Sequence, residues 1–335
     1  MSAATRKQPG SGARKIRGVT LIELMVALLL GLLVVGGAIA MFMSNRKTYM
    51  ATESLGRIQE GGRIGFELFA RDIREADGTP CRQPQPSPPT SASVIMLPIA
   101  NLLTSTAWWA NWGNGLLGYD NGGFTGSVAG TDAIELHSAN VNAVTVTSFA
   151  SATFTASTTT HGIAANDVVL ACDGNQGTIF VAGTTSAASI PVATSGNCGT
   201  GLGLGATCGG TAYTYGAAAN GQAMLAKVRG VRWYVKANGH GGNSLYQQNM
   251  GDAEIEIIDG VRDLQLTYLL PGANTYATAA SVTTQNRWKD VSAVRIVLDL
   301  EGQQSNSDDR IKAGTDGNGL RRRITHVVTL RNRNA

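Results

Sequence analysis

Few residues in this chain carry the means for chemistry, and most of them stand apart. The four histidines, His137, His161, His240 and His326, are well separated, and none forms a metal-type cluster or a nucleophile pair with a recognisable spacing. Cys81, Cys172, Cys198 and Cys208 include no C-x-x-C pair and no nearby histidine, which speaks against a zinc site. Asp308, Asp309, Asp316 and Asn318, and separately Asp173 with Asn175, could line a Ca2+ loop, but the spacing matches no EF-hand and a solvated loop is the better reading. Gly201, Gly203 and Gly205 form a Gly-x-Gly string in a low-complexity tract, without the strand–turn–helix setting of a phosphate cradle. These residues point to no enzyme, no cofactor and no metal. What asks for a functional explanation is one carboxylate, Glu23, with the small residue Gly18 five positions before it. Glu23 opens a run of 20 residues, Leu24 to Met43, none of them charged or strongly polar. A lone ionisable group at the edge of such a run costs free energy unless it finds a partner.

The element that positions Glu23 is a helix. At about 1.5 Å per residue the apolar run spans roughly 30 Å, the thickness of a bilayer's hydrocarbon core. From Ser44 to Asp77 no proline interrupts, and polar residues return. Leu55, Ile58, Gly62, Gly65/Phe66, Phe69 and Ile73 recur at spacings of three and four, one apolar stripe on an amphipathic helix. Arg57, Glu60, Arg63, Glu67, Arg71, Asp72 and Arg74 fill much of the rest. Gly61, Gly62 and Gly65 loosen this half, and Gly31, Gly36 and Gly37 the apolar half, at roughly 1 kcal/mol per glycine relative to alanine; in a membrane span small residues also allow close helix packing. Asp77-Gly78-Thr79-Pro80 reads as the stop.

The formal charge of +4 comes from the N-terminus. Met1–Gly18 holds Arg6, Lys7, Arg14, Lys15 and Arg17 and no acid; without these five the chain keeps 22 bases against 23 acids, a net −1. Such a basic flank places the N-terminus in the cytoplasm. It gives no reason to propose nucleic-acid binding. The rest then lies outside the cytoplasm, where four cysteines favour two disulfides with three possible connectivities. The preferred pairing is Cys198–Cys208, closing a Gly-rich loop, with Cys81–Cys172. Two plainer readings of the apolar run are an uncleaved signal anchor and a signal peptide cut after Ala38-Ile39-Ala40; the run is longer than a usual signal core of about 7–15 residues.

Past a Pro/Ser-rich connector at 82–93, the chain reads as β-rich. Val94–Leu97, Ala133–His137, Ala143–Ser148, Asp167–Cys172 and Thr178–Ala182 read as strands. The Trp108–Phe124 stretch reads as an aromatic, Gly-rich loop, more readily local packing than a glycan-binding patch. Gly183–Ser195 and Gly199–Gly210 read as surface loops. Leu225–Val228 and Val231–Lys236 read as a pair around Arg229-Gly230, followed by strands at Ser244–Gln247, Glu254–Ile258 and Val261–Leu270. Val294, Ile296, Leu298 and Leu300 alternate with Arg295, Val297, Asp299 and Glu301, the period of a half-buried strand. A polar loop, Gly302–Gly319, precedes a last strand at Arg323–Leu330.

The stretch Arg17-Gly18-Val19-Thr20-Leu21-Ile22-Glu23 resembles the class III leader and N-methylation motif of type IV pilins and of the pseudopilins of type II secretion. The resemblance implies that a prepilin peptidase cuts between Gly18 and Val19 and methylates Val19, where the family usually has Phe, and that Glu23 serves assembly. Further segments resemble the PilW family of minor pilins: Leu68–Ala76, Asp167–Cys172, Leu245-Tyr246, Ile258–Tyr268, Trp288–Ile296 and Val328–Asn332. They imply an α+β, pilin-like fold in which a long N-terminal helix packs on an antiparallel β-sheet domain. The expected division is a cleaved leader (1–18), an assembly half of the helix (19–45), an amphipathic half (46–78) and a periplasmic β domain (79–335). The implied partners are prepilin peptidase, other minor pilins, the major pilin, the inner-membrane pilus assembly platform and a pilus-tip adhesin. The implied place is the inner membrane, with the β domain periplasmic, and then the pilus. A J-type pseudopilin of type II secretion shares this architecture; a membrane-anchored glycan-binding or adhesive module is the alternative of another class.

Overall fold

A computed structural model describes residues 18–81, 97–123, 125–205, 211–216, 221–239, 241–302 and 321–333. The proline-free, apolar-then-amphipathic sequence forms one helix, α1 (Leu21–Glu75). Its residues fall into two compact units, one ending at Glu53 and one beginning at Ser54. In the first unit every side chain from Leu21 to Met43 is exposed, and this part is long and apolar enough to cross a membrane. Leucine and valine left bare in water lose about 25 cal/mol per Å2 of unburied apolar surface, so this face requires lipid or other helices.

In the second unit α1 buries Ile58, Gly62, Gly65, Phe69, Ala70, Asp72 and Ile73, and Ala76 just after it is buried too. The stripe read from the sequence is therefore the packed face, except that Leu55 stays exposed and Asp72, counted among the polar remainder, is buried. The glycines in it do more than loosen the helix. A Cβ on Gly62 would lie 2.8 Å from Ile324 Cδ1 and from Leu300 Cδ1, and one on Gly65 would overlap Ile258. A Cβ on Gly56 would meet nothing within 4 Å. Gly56→Ala is therefore expected to stabilise by about 0.5–1 kcal/mol through helix propensity. Gly65→Ala is expected to destabilise by about 1–3 kcal/mol through overpacking. Guanidinium melts of the full chain in detergent check both signs; two stabilising alanines would refute close packing at Gly65.

The helix ends where Asp77 adopts a left-handed φ of 61° and its N–H donates to His137 O. Among the described residues thirteen strands follow: β1 (Ile99–Asn101), β2 (Leu116–Tyr119), β3 (Ala133–Ala150), β4 (Thr153–Ala156), β5 (Val168–Cys172), β6 (Gly177–Val181), β7 (Ser189–Pro191), β8 (Met224–Ala237), β9 (Asn243–Asn249), β10 (Ile255–Asp259), β11 (Val261–Leu269), β12 (Ala293–Glu301) and β13 (Arg321–Thr329). A short helix, α2 (Ala279–Thr284), lies between β11 and β12. It is capped by Thr278, and the Asp120 carboxylate accepts from Ala279 N and Ala280 N.

The two long strands β3 and β8 pair and carry the larger sheet. Toward one end they are flanked by β2 and by β9–β10; toward the other by β4–β7 and by β5–β6–β1. All pairs are antiparallel except β1 with β6. The second sheet is β11–β12–β13. The main core gathers the buried face of α1, parts of β2, β3 and β8–β10, the second sheet and α2. Two smaller cores lie toward the other end of β3 and β8, one around Phe154 and Phe180, the other around Cys81 and Cys172.

Several expectations are corrected here. Ala133–His137 and Ala143–Ser148 form one strand, as do Leu225–Val228 and Val231–Lys236. Gly230 marks no turn: a Cβ there would sit 3.1 Å from Trp109 Cβ, so glycine admits the tryptophan. The Trp108–Phe124 stretch contains β2 and a single 3-10 turn, Trp108–Ala110, with Trp112 buried. The tract Gly183–Ser195 contains β7, whose Ile190 is fully buried. In Gly199–Gly210, Leu202 is buried and its carbonyl accepts from Thr178 Oγ1 and Gln176 Nε2. The expected strand at Val94–Leu97 lies almost wholly outside the described residues, as do the rest of 82–96 and the Ca2+ candidates Asp308, Asp309, Asp316 and Asn318; among the described residues the first strand is Ile99–Asn101.

Candidate functional site

The site begins where α1 begins. Gly18, Val19 and Thr20 are exposed and non-helical, and helix starts at Leu21. Thr20 Oγ1 accepts from Glu23 N at 3.3 Å, and a Glu23 carboxylate oxygen accepts from Thr20 N at 3.4 Å. This is a reciprocal capping box: a threonine at the cap, a glutamate three residues on, and two orphan backbone donors satisfied together. The negative charge also lies in the first turn, where the helix dipole favours it. The first main-chain helical bond runs from Leu24 N to Thr20 O. The sequence motif includes Thr20 but not its capping role, although threonine, two residues and glutamate before an apolar run are the signature of such a cap.

The other end of α1 is held by two buried charged groups within the second unit. Asp72 receives Arg229 Nη2 at 2.9 Å on one oxygen, and Trp233 Nε1 at 2.9 Å and Gln247 Nε2 at 2.7 Å on the other. Phe69, one turn earlier, stacks on Trp233 with centroids 4.8 Å apart. Arg333 is buried and donates to the Asp77 carboxylate and to the carbonyls of Trp288, Val291 and Asn114. Burial raises the Asp77 carboxyl above its usual range, and Arg333 pulls it back. Arg331 N donates to Arg74 O, and Asn332 Nδ2 to the carbonyls of Glu75 and Ala76. The tail after β13 thus satisfies carbonyls that a helix end leaves orphaned.

The remaining candidates have local structural places. Cys81 is bonded to Cys172, tying the segment after α1 to β5. Cys198 is also in a disulfide; Cys208 lies outside the described residues. His137 is buried beside Trp112, His161 bonds Ala187 O through Nε2, and His326 stacks on Phe66, so these three are not brought together. His240 lies outside the described residues. Asp173 spends one oxygen on Asn175 N and Gln176 N and the other on Tyr213 Oη, which makes it the brace of the β5–β6 turn. Among the described residues no group of three or more His, Cys, Asp or Glu could hold a metal ion.

A helix with an exposed apolar half, opened by Gly-Val-Thr-Leu-Ile-Glu and continuing into the core of a β-rich domain, defines a pilin-like protein. Two family models match. The prokaryotic N-terminal methylation motif covers residues 13–39, and type IV pilus-assembly protein W covers residues 232–332, from within β8 to the tail that closes α1. These two matches support a type IV minor pilin of the PilW family. No curated protein and no solved structure matches it.

Proposed function

We propose that this pilus component is made as a precursor, cut between Gly18 and Val19 by a prepilin peptidase, methylated at Val19 and held in the inner membrane by residues 19–45 until assembly. Residues 46–78 then serve as the helical part of a periplasmic domain completed by residues 79–335. The protein joins other minor pilins on the inner-membrane platform to prime filament assembly, and it sits at or near the pilus tip in contact with the major pilin. In this role it is a substrate and a structural part, not an enzyme. The carrying observation is the junction itself: an exposed, non-helical Gly18–Thr20 segment followed at once by an exposed apolar helix.

Cutting creates an α-amine on Val19 close to the Glu23 carboxylate. Each charge is costly in a low-dielectric setting and pairing offsets part of that cost. In a filament the amine can come from a neighbouring subunit, so the pair sets axial register more than stability. Mass spectrometry of the N-terminus from native membranes tests the reading. The expected chain begins at Val19 and carries one added methyl. A chain that keeps its leader has no such amine, and both the processing and the pairing assigned to Glu23 would be abandoned. A chain beginning near Met41 would make this an exported soluble protein.

A further inference from the structure

We propose that Thr20 positions the scissile bond for cleavage: by capping α1 it keeps the Gly18 carbonyl out of the helix. The inference rests on the processing reading above and concerns why the bond can be attacked at all. Hydrolysis adds water across the Gly18–Val19 amide, leaving a carboxylate on Gly18 and an α-amine on Val19. Water must therefore reach the Gly18 carbonyl carbon. In a helix extended by one turn, Gly18 O would accept the N–H of Ile22, and neighbouring turns would cover the bond. The capped start prevents this. Thr20 Oγ1 takes the Glu23 N–H, Glu23 returns a carboxylate oxygen to Thr20 N, and the helical ladder opens at Leu24 N to Thr20 O. Gly18 and Val19 are left exposed and outside it. Independently of this geometry, the methylation-motif match spans residues 13–39, across the same junction.

Removing the cap drives the helix outward, not inward. Fraying at Leu21 and Ile22 would leave N–H groups unsatisfied beside a membrane, where such groups are most costly. Growth toward Arg17 gives the N–H groups of Leu21, Ile22 and Glu23 the carbonyls of Arg17, Gly18 and Val19, at the cost of helical glycine at position 18. Thr20 contributes this positioning without touching the reacting atoms.

The test uses the full chain in detergent with a purified prepilin peptidase, following leader release by mass spectrometry. Thr20→Ala is expected to be cut about fivefold more slowly, the factor that loss of an N-cap implies. Thr20→Ser, which keeps the cap oxygen, is expected to return to the wild-type rate. Hydrogen exchange at the Ile22 amide is expected to slow in Thr20→Ala as that N–H gains the Gly18 carbonyl. Equal cleavage of Thr20→Ala and wild type, a Thr20→Ser chain as slow as Thr20→Ala, or slow cleavage with unchanged Ile22 exchange would each overturn the role of Thr20. A wild-type chain left uncut would overturn the processing reading itself, a separate outcome.

Discussion

Asp72→Ala is expected to cost about 3–5 kcal/mol of domain stability, the range for removing one partner of a buried, hydrogen-bonded charge pair. The carboxylate is 1 % exposed, and it is the common acceptor of Arg229, Trp233 and Gln247, side chains of β8 and β9. Without it the Arg229 guanidinium keeps only Glu75, 3.5 Å from its other nitrogen, as a counter-charge, and two N–H donors are left against a void. Each unsatisfied buried donor costs about 1–3 kcal/mol, so the polar loss alone reaches the stated range. Guanidinium unfolding of the full chain in detergent, followed by tryptophan fluorescence, measures this directly because Trp233 is one of the partners. Asp72→Asn should fall between wild type and Asp72→Ala, since one oxygen remains to accept. The double variant Asp72→Leu with Arg229→Met should be less damaged than the sum of the two singles, because it removes the unpaired charge with its partner. Additive losses, or an Asp72→Ala cost below about 1 kcal/mol, would mean that the three donors find other acceptors and that Asp72 does not pin the helix.

Asp72 also shows where the sequence is legible and where it is not. Its position is periodic: Phe69, Asp72, Ile73 and Ala76 stand at i, i+3, i+4 and i+7 and are all buried. The spacing is plain in the sequence, but a carboxylate in that stripe reads as a mis-set surface residue until its partners are known. Those partners lie more than 150 residues away in sequence, and no local rule connects them. The same division holds elsewhere. The apolar helix, its stop at Asp77 and the alternation of β12 follow from residue type alone, because one face of each meets a uniform environment. The continuity of β3 and β8 does not. Each carries turn-like residues, Asn140 and Asn142 in one and Gly230 in the other, and each is kept extended by its neighbour, with register shifts along β3 absorbing the misfit. β7 and Leu202 sit in Ala/Ser/Thr/Gly-rich text and are buried by strands distant in the chain. In the candidate site, Glu23 was found because a charge before an apolar run is rare. The cap at Thr20 does not stand out, because threonine before a helix is common.

Between about pH 4.5 and 6.5 the contributions of Glu135 and His137 to the stability of the wild-type domain should cancel, leaving only the slope of its other carboxyls, and Glu135→Gln should tilt the curve. Glu135 and His137 stand two residues apart on β3, both buried. Burial raises the Glu135 carboxyl to about 7, against the lowering pull of the Tyr119 hydroxyl, which donates at 2.9 Å, and of Arg232. Burial lowers His137 to about 4, and its Nε2 has no hydrogen-bond partner. In that window the folded state holds Glu135 protonated and His137 neutral; the unfolded state holds the glutamate ionised and the histidine protonated. Folding therefore takes up one proton and releases one, and the two pH slopes cancel. Alone, Glu135 makes stability fall as pH rises from 4.5 toward 7, because its folded pKa lies above the unfolded one. His137 alone makes stability fall as pH drops from 6.5 toward 4, because its folded pKa lies below. Each slope is about 1.4 kcal/mol per pH unit. The Glu135→Gln curve minus the wild-type curve should thus climb by about 3 kcal/mol between pH 4.5 and 7. The His137→Gln curve minus wild type should climb by a similar amount as pH falls from 6.5 to 4. Taking differences removes the other raised carboxyls, Asp77 and Asp132, which are common to all three proteins. Parallel curves for the three proteins would show that neither group changes its proton on folding, and that water or movement of β3 relieves their burial.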